Sequence, residues 1–275
     1  MLSGMAVSQN AAAADDMIAF GKETFKVNFG LYRPEVTTKV SESVTGGTKL
    51  PSISGEADLG LDKSINAARL DGFWRMADRH RLWAGYYKLD REGTKTLSNN
   101  IGPVNIPSRG TTDTILAGSS ISTSSKLDLY LLGYGYSFYK TENVEIAGKL
   151  GLNVARSKVS LSGTLNTAAN GSFFGSTSGT DVTVPLPVIA ISGDWGINER
   201  WRLKGSLGGL KLKSADVKSS VSDVSAAVEY RLVKNFGVGA GYSALSASAD
   251  VTKGNSSTSL DWQLRGWQLY GSFVF

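Results

Sequence analysis

A two-residue alternation of apolar and polar side chains runs from about residue 24 to the end of the chain. In the segment FKVNFGLY (25–32), every second residue is apolar: Phe25, Val27, Phe29 and Leu31. This pattern predicts β-strands with one apolar face and one polar or small face. Because no helical pattern is present to cover either face, we expect a closed barrel with lipid outside and a polar interior.

The connections between the predicted strands alternate between short and long. Short polar turns occur at 77–80, 140–143, 198–200 and 234–235, and longer stretches rich in Ser, Thr, Gly and Asn at 43–63, 98–118, 160–180, 214–219 and 247–259. This alternation predicts an all-β, closed antiparallel barrel of about ten strands, with eight or twelve left open. The predicted strands are 24–42, 64–76, 81–97, 119–139, 144–159, 181–196, 201–213, 220–232, 236–247 and 260–275.

The composition is compatible with a transmembrane barrel but not with a transmembrane helix. Only 41% of the residues are hydrophobic, and no run of 18 apolar residues occurs. The chain has no cysteine, which excludes disulfides and thiolate metal sites. Residues 1–14 are uncharged and end in Ala12-Ala13-Ala14, so we expect a signal peptide there, starting at Met1 or upstream of it, followed by a single barrel domain, 15–275.

Aromatic residues flank the short turns. We predict that they form a girdle at the periplasmic membrane interface, where amphipathic rings are favoured: Trp74, Trp83, Phe138, Trp195, Trp201, Tyr230 and Phe236. This orientation places both chain termini in the periplasm and the long loops outside the cell.

The last segment, GWQLYGSFVF, ends on an aromatic residue and alternates before it, with Trp267, Leu269, Phe273 and Phe275 on one face. It resembles the C-terminal signature of bacterial outer-membrane barrels, which implies insertion by the barrel assembly machinery. The stretches 31–38, 70–93 and 185–203 also resemble a group of uncharacterised proteobacterial outer-membrane barrel proteins. That resemblance implies fold and location only, and it assigns no functional residues.

The sequence offers little for catalysis. Barrel hydrolases and proteases need a histidine to activate a nucleophile or water, and this chain has only His80, in a predicted turn. A lone histidine also argues against a transition-metal site. Gly237–Gly241 lacks the spacing of a phosphate-binding loop and lies within a predicted strand. We therefore expect no enzyme activity, no cofactor and no nucleic-acid partner.

Charged residues on the predicted inner face are the main functional candidates. In each predicted strand the apolar residues are assigned to the outer face, and the residues that alternate with them to the inner face. This assignment places twelve charged residues in the lumen: Arg69, Asp71, Lys88, Asp90, Glu145, Lys149, Asp194, Arg202, Lys204, Asp223, Glu229 and Arg231. Six are basic and six are acidic, so ion pairs between strands are expected. Ten strands leave little free space, and the same charges fit either a plug or a narrow path for ions and small solutes.

Two classes of function remain open from the sequence. The first is a structural barrel or a narrow pore for small solutes in the outer membrane, surrounded by lipid and lipopolysaccharide. The alternative is a surface-binding or adhesion protein whose polar loops, 98–118 and 160–180, contact a partner such as a glycan.

Overall fold

A computed structural model describes residues 17–44, 52–106, 111–168, 171–177, 181–213, 217–253 and 256–275. The predicted signal peptide, 1–14, lies outside these ranges. Within them, every regular element is a β-strand. No helix in the described ranges is long and apolar enough to cross a membrane.

The structure contains fourteen strands in chain order. They are β1 (Phe25–Val44), β2 (Ile53–Ser54), β3 (Ala67–Ala77), β4 (His80–Thr96), β5 (Ile101–Ile106), β6 (Thr111–Ile115), β7 (Ser120–Lys140), β8 (Val144–Thr167), β9 (Gly171–Thr177), β10 (Asp181–Gly196), β11 (Trp201–Lys213), β12 (Val217–Val233), β13 (Phe236–Lys253) and β14 (Ser256–Val274). Ten of them form the wall of a barrel, and β2, β5, β6 and β9 are short additions to the wall or its loops.

Antiparallel pairing closes the wall. Neighbouring barrel strands pair in the order β1, β3, β4, β7, β8, β10, β11, β12, β13 and β14. The first and last strands then pair with each other, with Lys26 opposite Val274. The prediction of a closed antiparallel barrel with ten strands is confirmed.

Several predicted loops contain strand. β8 continues to Thr167, β12 covers the second half of 214–219, and β13 and β14 cover most of 247–259. The hairpin of β5 and β6 lies within 98–118, and β9 pairs with the end of β8 within 160–180. Threonine-rich and serine-rich hairpins keep their backbone hydrogen bonds beyond the apolar part of the wall, so composition alone underestimates strand length.

The start of β1 and the end of β14 meet at the end of the barrel that carries the short turns, here called the turn end. The carbonyl oxygen of Phe275 accepts hydrogen bonds from the backbone amides of Thr24 at 2.7 Å and Phe25 at 3.0 Å. The opposite end, with the longer connections, is called the loop end. The C-terminal residue thus helps to join the first strand to the last.

The outer surface of the wall carries an apolar belt. Its most exposed members include Leu132, Leu207 and Trp267, with 63%, 65% and 70% of their surface accessible. On β7 the belt runs from Phe138 to Tyr130, which is roughly 20 Å in height at the usual strand rise and a tilt of about 40°. A soluble monomer rarely exposes an apolar surface of this extent.

Candidate functional site

The interior of the barrel near the turn end is filled by ion pairs, here called the charged layer. Glu145 on β8 is 1% exposed and accepts hydrogen bonds from both Nη atoms of Arg75, at 2.9 and 2.8 Å. Its other neighbours are the Ser137 hydroxyl at 2.5 Å and Arg81 at 3.6 Å. Arg81 also contacts Asp194 on β10 at 3.1 Å, so these side chains link strands across the lumen.

A second carboxylate, Glu229 on β12, anchors the opposite side of the charged layer. It lies 2.5 Å from Nζ of Lys26 and 3.1 Å from Nζ of Lys204. The Tyr270 hydroxyl donates a hydrogen bond to it at 2.9 Å. Buried charges of this kind are stable only when paired and hydrogen-bonded, and Glu229 satisfies both conditions.

The residues before β1 complete the charged layer from the turn end. Glu23 pairs with Arg202 and, at 3.1 Å, with Arg231, and Arg231 also donates to the carbonyl oxygen of Ile18 at 2.5 Å. Burial alone would raise the pKa of Glu23, but the charges of Arg202 and Lys26 and the hydrogen bonds to the carboxylate together outweigh burial and lower that pKa. Below this segment a vestibule of about 1210 Å³ opens between the short turns.

Ten of the twelve charges expected in the lumen lie inside the barrel. They are Arg69, Asp71, Glu145, Lys149, Asp194, Arg202, Lys204, Asp223, Glu229 and Arg231. Arg69 and Asp71 pair with each other, and Asn28 donates to Asp71 at 2.8 Å.

The lumen assignment of Lys88 and Asp90 was wrong. Their side chains are 52% and 46% exposed on the outer surface, 3.3 Å apart. β4 has large apolar or aromatic residues on both faces: Leu82 and Tyr86 outside, and Trp83, Tyr87 and Leu89 inside. Apolar character alone therefore does not distinguish the outer face of β4 from its inner face, and the sequence-based prediction assigned Lys88 and Asp90 to the wrong one.

The girdle assignment of Trp83 was wrong for the same reason. Its indole points into the lumen, where it packs over Gly133 and Gly151 and below the ammonium of Lys149, whose Nζ is 5.7 Å from a ring centroid. The other six residues, Trp74, Phe138, Trp195, Trp201, Tyr230 and Phe236, lie on the outward-facing positions near the turn end. Trp201 and Tyr230 contact each other, as do Phe236 and Phe273.

Four charged residues of the layer were absent from the sequence-based set: Glu23, Lys26, Arg75 and Arg81. Arg75 lies on the same face of β3 as Arg69 and Asp71, so extending the alternation along that strand would have assigned Arg75 to the lumen. Glu23 precedes β1, where alternation gives no information.

A cavity of about 200 Å³, here called the central cavity, lies above the charged layer. Its lining combines polar groups such as Asp223 and Ser225 with apolar groups such as Leu131 and Val188. Three buried polar atoms on the lining residues have no hydrogen-bond partner: Nε1 of Trp83, Oδ1 of Asn153 and Oε1 of Gln268. Unpartnered buried polar atoms are rare in folded proteins, so this cavity is suited to a molecule with polar groups.

The lumen above the central cavity is closed by apolar side chains, here called the apolar layer. It comprises Tyr32, Val36, Ala67, Leu89, Leu127, Leu129, Ala155, Leu186, Ala247, Trp262 and Leu264. Leu89 is 1% exposed and Trp262 is 4% exposed. Towards the loop end, a separate cluster of Leu97, Ile101, Ile115 and Ile121 packs under the loops. The apolar layer therefore lies between the central cavity and a further buried ion pair, Arg91 with Glu56 at 2.6 Å.

The remaining chemical candidates are isolated. Nδ1 of His80 lies 2.5 Å from the Tyr134 hydroxyl at the turn end, away from the carboxylates of the charged layer. Gly237–Gly241 lies inside β13, as predicted from its position in the alternation. In the described ranges, no group of three or more His, Cys, Asp or Glu residues is arranged to hold a metal ion.

Comparisons with known proteins identify the fold but no family. No protein-family model matches the chain, and no curated protein matches it significantly. The barrel is similar to the outer membrane protease OmpT from Escherichia coli, with a TM-score of 0.50, 11% identity and coverage of 91% of this chain and 97% of that one. OprG from Pseudomonas aeruginosa gives a TM-score of 0.38 at 12% identity, covering 94% and 98% of the two chains. The attachment invasion locus protein Ail of Yersinia pestis gives 0.27 at 12% identity, covering 89% and 98%.

Proposed function

We propose that this chain is an integral outer-membrane protein with a closed lumen, that its role is structural, and that it performs no catalysis. The fold likeness and the apolar belt support the location. The belt matches the hydrocarbon part of a bilayer, and the aromatic residues of the turn end match an interfacial girdle. In this orientation both termini face the periplasm, and the loop end faces outward.

The single observation that carries the closed lumen is the apolar layer above the charged layer. An ion crossing the barrel would lose its hydration among buried side chains such as Leu89, Trp262 and Leu264. It would also have to separate the ion pairs around Glu145 and Glu229. Of the two interpretations of the charges, a plug therefore fits better than a path for solutes.

The absence of catalysis is supported by the position of the chain's one histidine. Barrel enzymes that use a histidine need it beside a nucleophile or a carboxylate. His80 instead contacts Tyr134 and Tyr136 at the turn end. The likeness to a protease is a likeness of fold, which does not carry activity with it.

The partners expected for such a barrel are outer-membrane lipid, lipopolysaccharide and the barrel assembly machinery. The apolar belt would contact acyl chains, and the last strand, which pairs with both β1 and β13, would be the segment that the assembly machinery recognises.

The proposal is tested by fractionation and solute permeability. The chain should enter the outer-membrane fraction and show heat-modifiable migration on gels. Liposomes that contain it should swell in arabinose no faster than protein-free liposomes. Swelling at the rate of a porin control would refute the closed lumen, and recovery in the soluble fraction would refute the location.

One observation favours surface binding as a second candidate. Phe174 on β9 is 78% exposed in the hairpin that extends β8 beyond the barrel. An exposed aromatic side chain is a common anchor in protein interfaces. Removing 171–177 should abolish binding to any glycan or protein surface without changing heat-modifiable migration.

A further inference from the structure

The barrel wall has a seam that is paired along only part of its length. β10 and β11 pair from Gly196 opposite Arg202 up to Ile189 opposite Gly209, and the ladder ends there. The next residues of both strands, up to Asp181 and Lys213, are described, yet they form no ladder with each other. β10 continues to pair with β8 on its other side as far as Asp181, and β11 continues to pair with β12 as far as Lys213.

Two prolines explain why the ladder stops at this height. Pro185 and Pro187 on β10 have no amide hydrogen. Because the two prolines are two residues apart, both lack a hydrogen-bond donor on the same side of the strand. The ladder with β8 passes both prolines without a break, whereas the ladder with β11 ends at Ile189. Proline in a strand is normally confined to edges, so the sequence itself specifies an edge inside the wall.

The unpaired part of the seam adjoins the central cavity. Val188 and Ala190, which stand on either side of Ile189 where the ladder ends, both line that cavity. Outside the barrel, the same height belongs to the apolar belt, since Ile189 is 54% exposed. The seam therefore lies between the cavity and the region that lipid would occupy.

The cavity lining has both hydrogen-bonding and apolar groups, a combination that suits a small amphiphile. Nε1 of Trp83 can donate a hydrogen bond, while Oδ1 of Asn153 and Oε1 of Gln268 can accept one. Leu129, Leu131 and Leu264 supply the apolar part of the lining. A cavity of roughly 150 Å³ is enough to hold a benzene ring, so about 200 Å³ holds one ring with a small polar substituent.

We propose that the central cavity binds a small uncharged amphiphile of about one substituted ring, which enters from the membrane through the unpaired upper part of the β10–β11 seam. This inference deepens the proposed function: the lumen stays closed to ions along its axis, while the wall admits a molecule dissolved in lipid. The ligand's polar group would meet Trp83, Asn153 and Gln268, and its ring would contact the leucines.

The binding site is tested with 4-fluorophenol as the probe. Fluorine NMR of the probe in detergent micelles containing the folded chain should show a bound signal that protein-free micelles lack. Ser225→Leu fills the lining and should weaken binding about tenfold or more. Ser222→Leu is the matched control on the outer face of the same strand and should bind as the unmodified chain does.

The entry route is tested by bridging the seam. The chain has no cysteine, so Pro187→Cys with Lys211→Cys gives two unique thiols at positions that would face each other if the ladder continued. A short reducible bis-methanethiosulfonate cross-linker should slow exchange of the bound probe about tenfold, and reduction should restore the rate. Ile191→Cys with Leu207→Cys, bridged in the same way, lies where the ladder is intact and should leave exchange unchanged.

Either experiment can overturn the proposal. Equal binding by the Ser225→Leu and Ser222→Leu chains would exclude the cavity as the site. Exchange in the bridged Pro187/Lys211 chain that stays as fast as in the unmodified chain, which keeps Pro187, would exclude the seam as the route. Neither result bears on liposome swelling, so failure of this inference is distinguishable from failure of the closed lumen.

Discussion

Replacement of Glu145 by glutamine probes the charged layer most sharply. Glu145 is 1% exposed and joins Arg75, Arg81 and Ser137. Glutamine keeps the shape but removes the negative charge, and its amide group would point N–H donors at guanidinium donors. Breaking one side of a buried ion pair typically costs about 3–5 kcal/mol.

The structure places the expected loss near the lower limit of that range, at about 3 kcal/mol. Arg75 retains hydrogen bonds to the carbonyl oxygens of Glu23 and Asp78, at 3.1 and 2.8 Å. Arg81 retains Asp194 at 3.1 Å. Neither guanidinium is therefore left wholly without a partner.

The assay is urea unfolding of the refolded chain in lipid vesicles, followed by tryptophan fluorescence. With a slope of about 2.5 kcal/mol per molar, the midpoint should fall by about 1.2 M. Asp90→Asn is the matched control, because it breaks the exposed pair with Lys88 and should cost less than about 0.5 kcal/mol. If the Glu145→Gln chain unfolded within about 0.5 kcal/mol of the unmodified one, the reasoning about the charged layer would be refuted.

Two further predictions concern packing and pH. Gly133→Ala would place a Cβ 2.4 Å from ring atoms of Trp83 and should destabilise the fold by about 1–3 kcal/mol. Gly148→Ala meets nothing within 4 Å and should stabilise the strand by about 0.5–1 kcal/mol, and urea unfolding compares the two. The hydrogen bond from Lys140 lowers the pKa of Asp78, so this contact stabilises the fold above the ordinary aspartate pKa and is lost as pH falls through the lowered value. Asp78→Asn should therefore remove part of the pH dependence below about pH 4, and an unchanged pH profile would contradict this.

Strand count and closure could be predicted because alternation and turn spacing are local properties of the sequence. β1 shows the clearest case, with Phe29 and Leu31 outside and Lys26 and Asn28 inside. Alternation failed on β4, where Trp83 and Tyr87 occupy the inner face and Tyr86 the outer one. Which aromatic residue faces lipid depends on space across the barrel, here the room left by Gly133 and Gly151.

The candidate site was less predictable than the fold, because it depends on distances between strands far apart in sequence. Glu229 lies 203 positions from Lys26, and the sequence does not reveal that their strands bring them to 2.5 Å. The division of the lumen into a charged layer and an apolar layer likewise depends on which strands lie opposite each other in the barrel. Pro185 and Pro187 did carry a local signal, since two prolines of equal parity mark an edge, but only the register shows which seam they interrupt.

Single-channel recording in a planar bilayer tests the closed lumen most directly. The refolded chain should give no discrete current steps in potassium chloride, whereas a chain with Trp262→Ala and Leu264→Ala, which thins the apolar layer, should give brief openings. Stable steps from the unmodified chain, with an ion selectivity that shifts on Lys204→Gln, would mean that ions pass through the charged layer and would contradict the closed lumen.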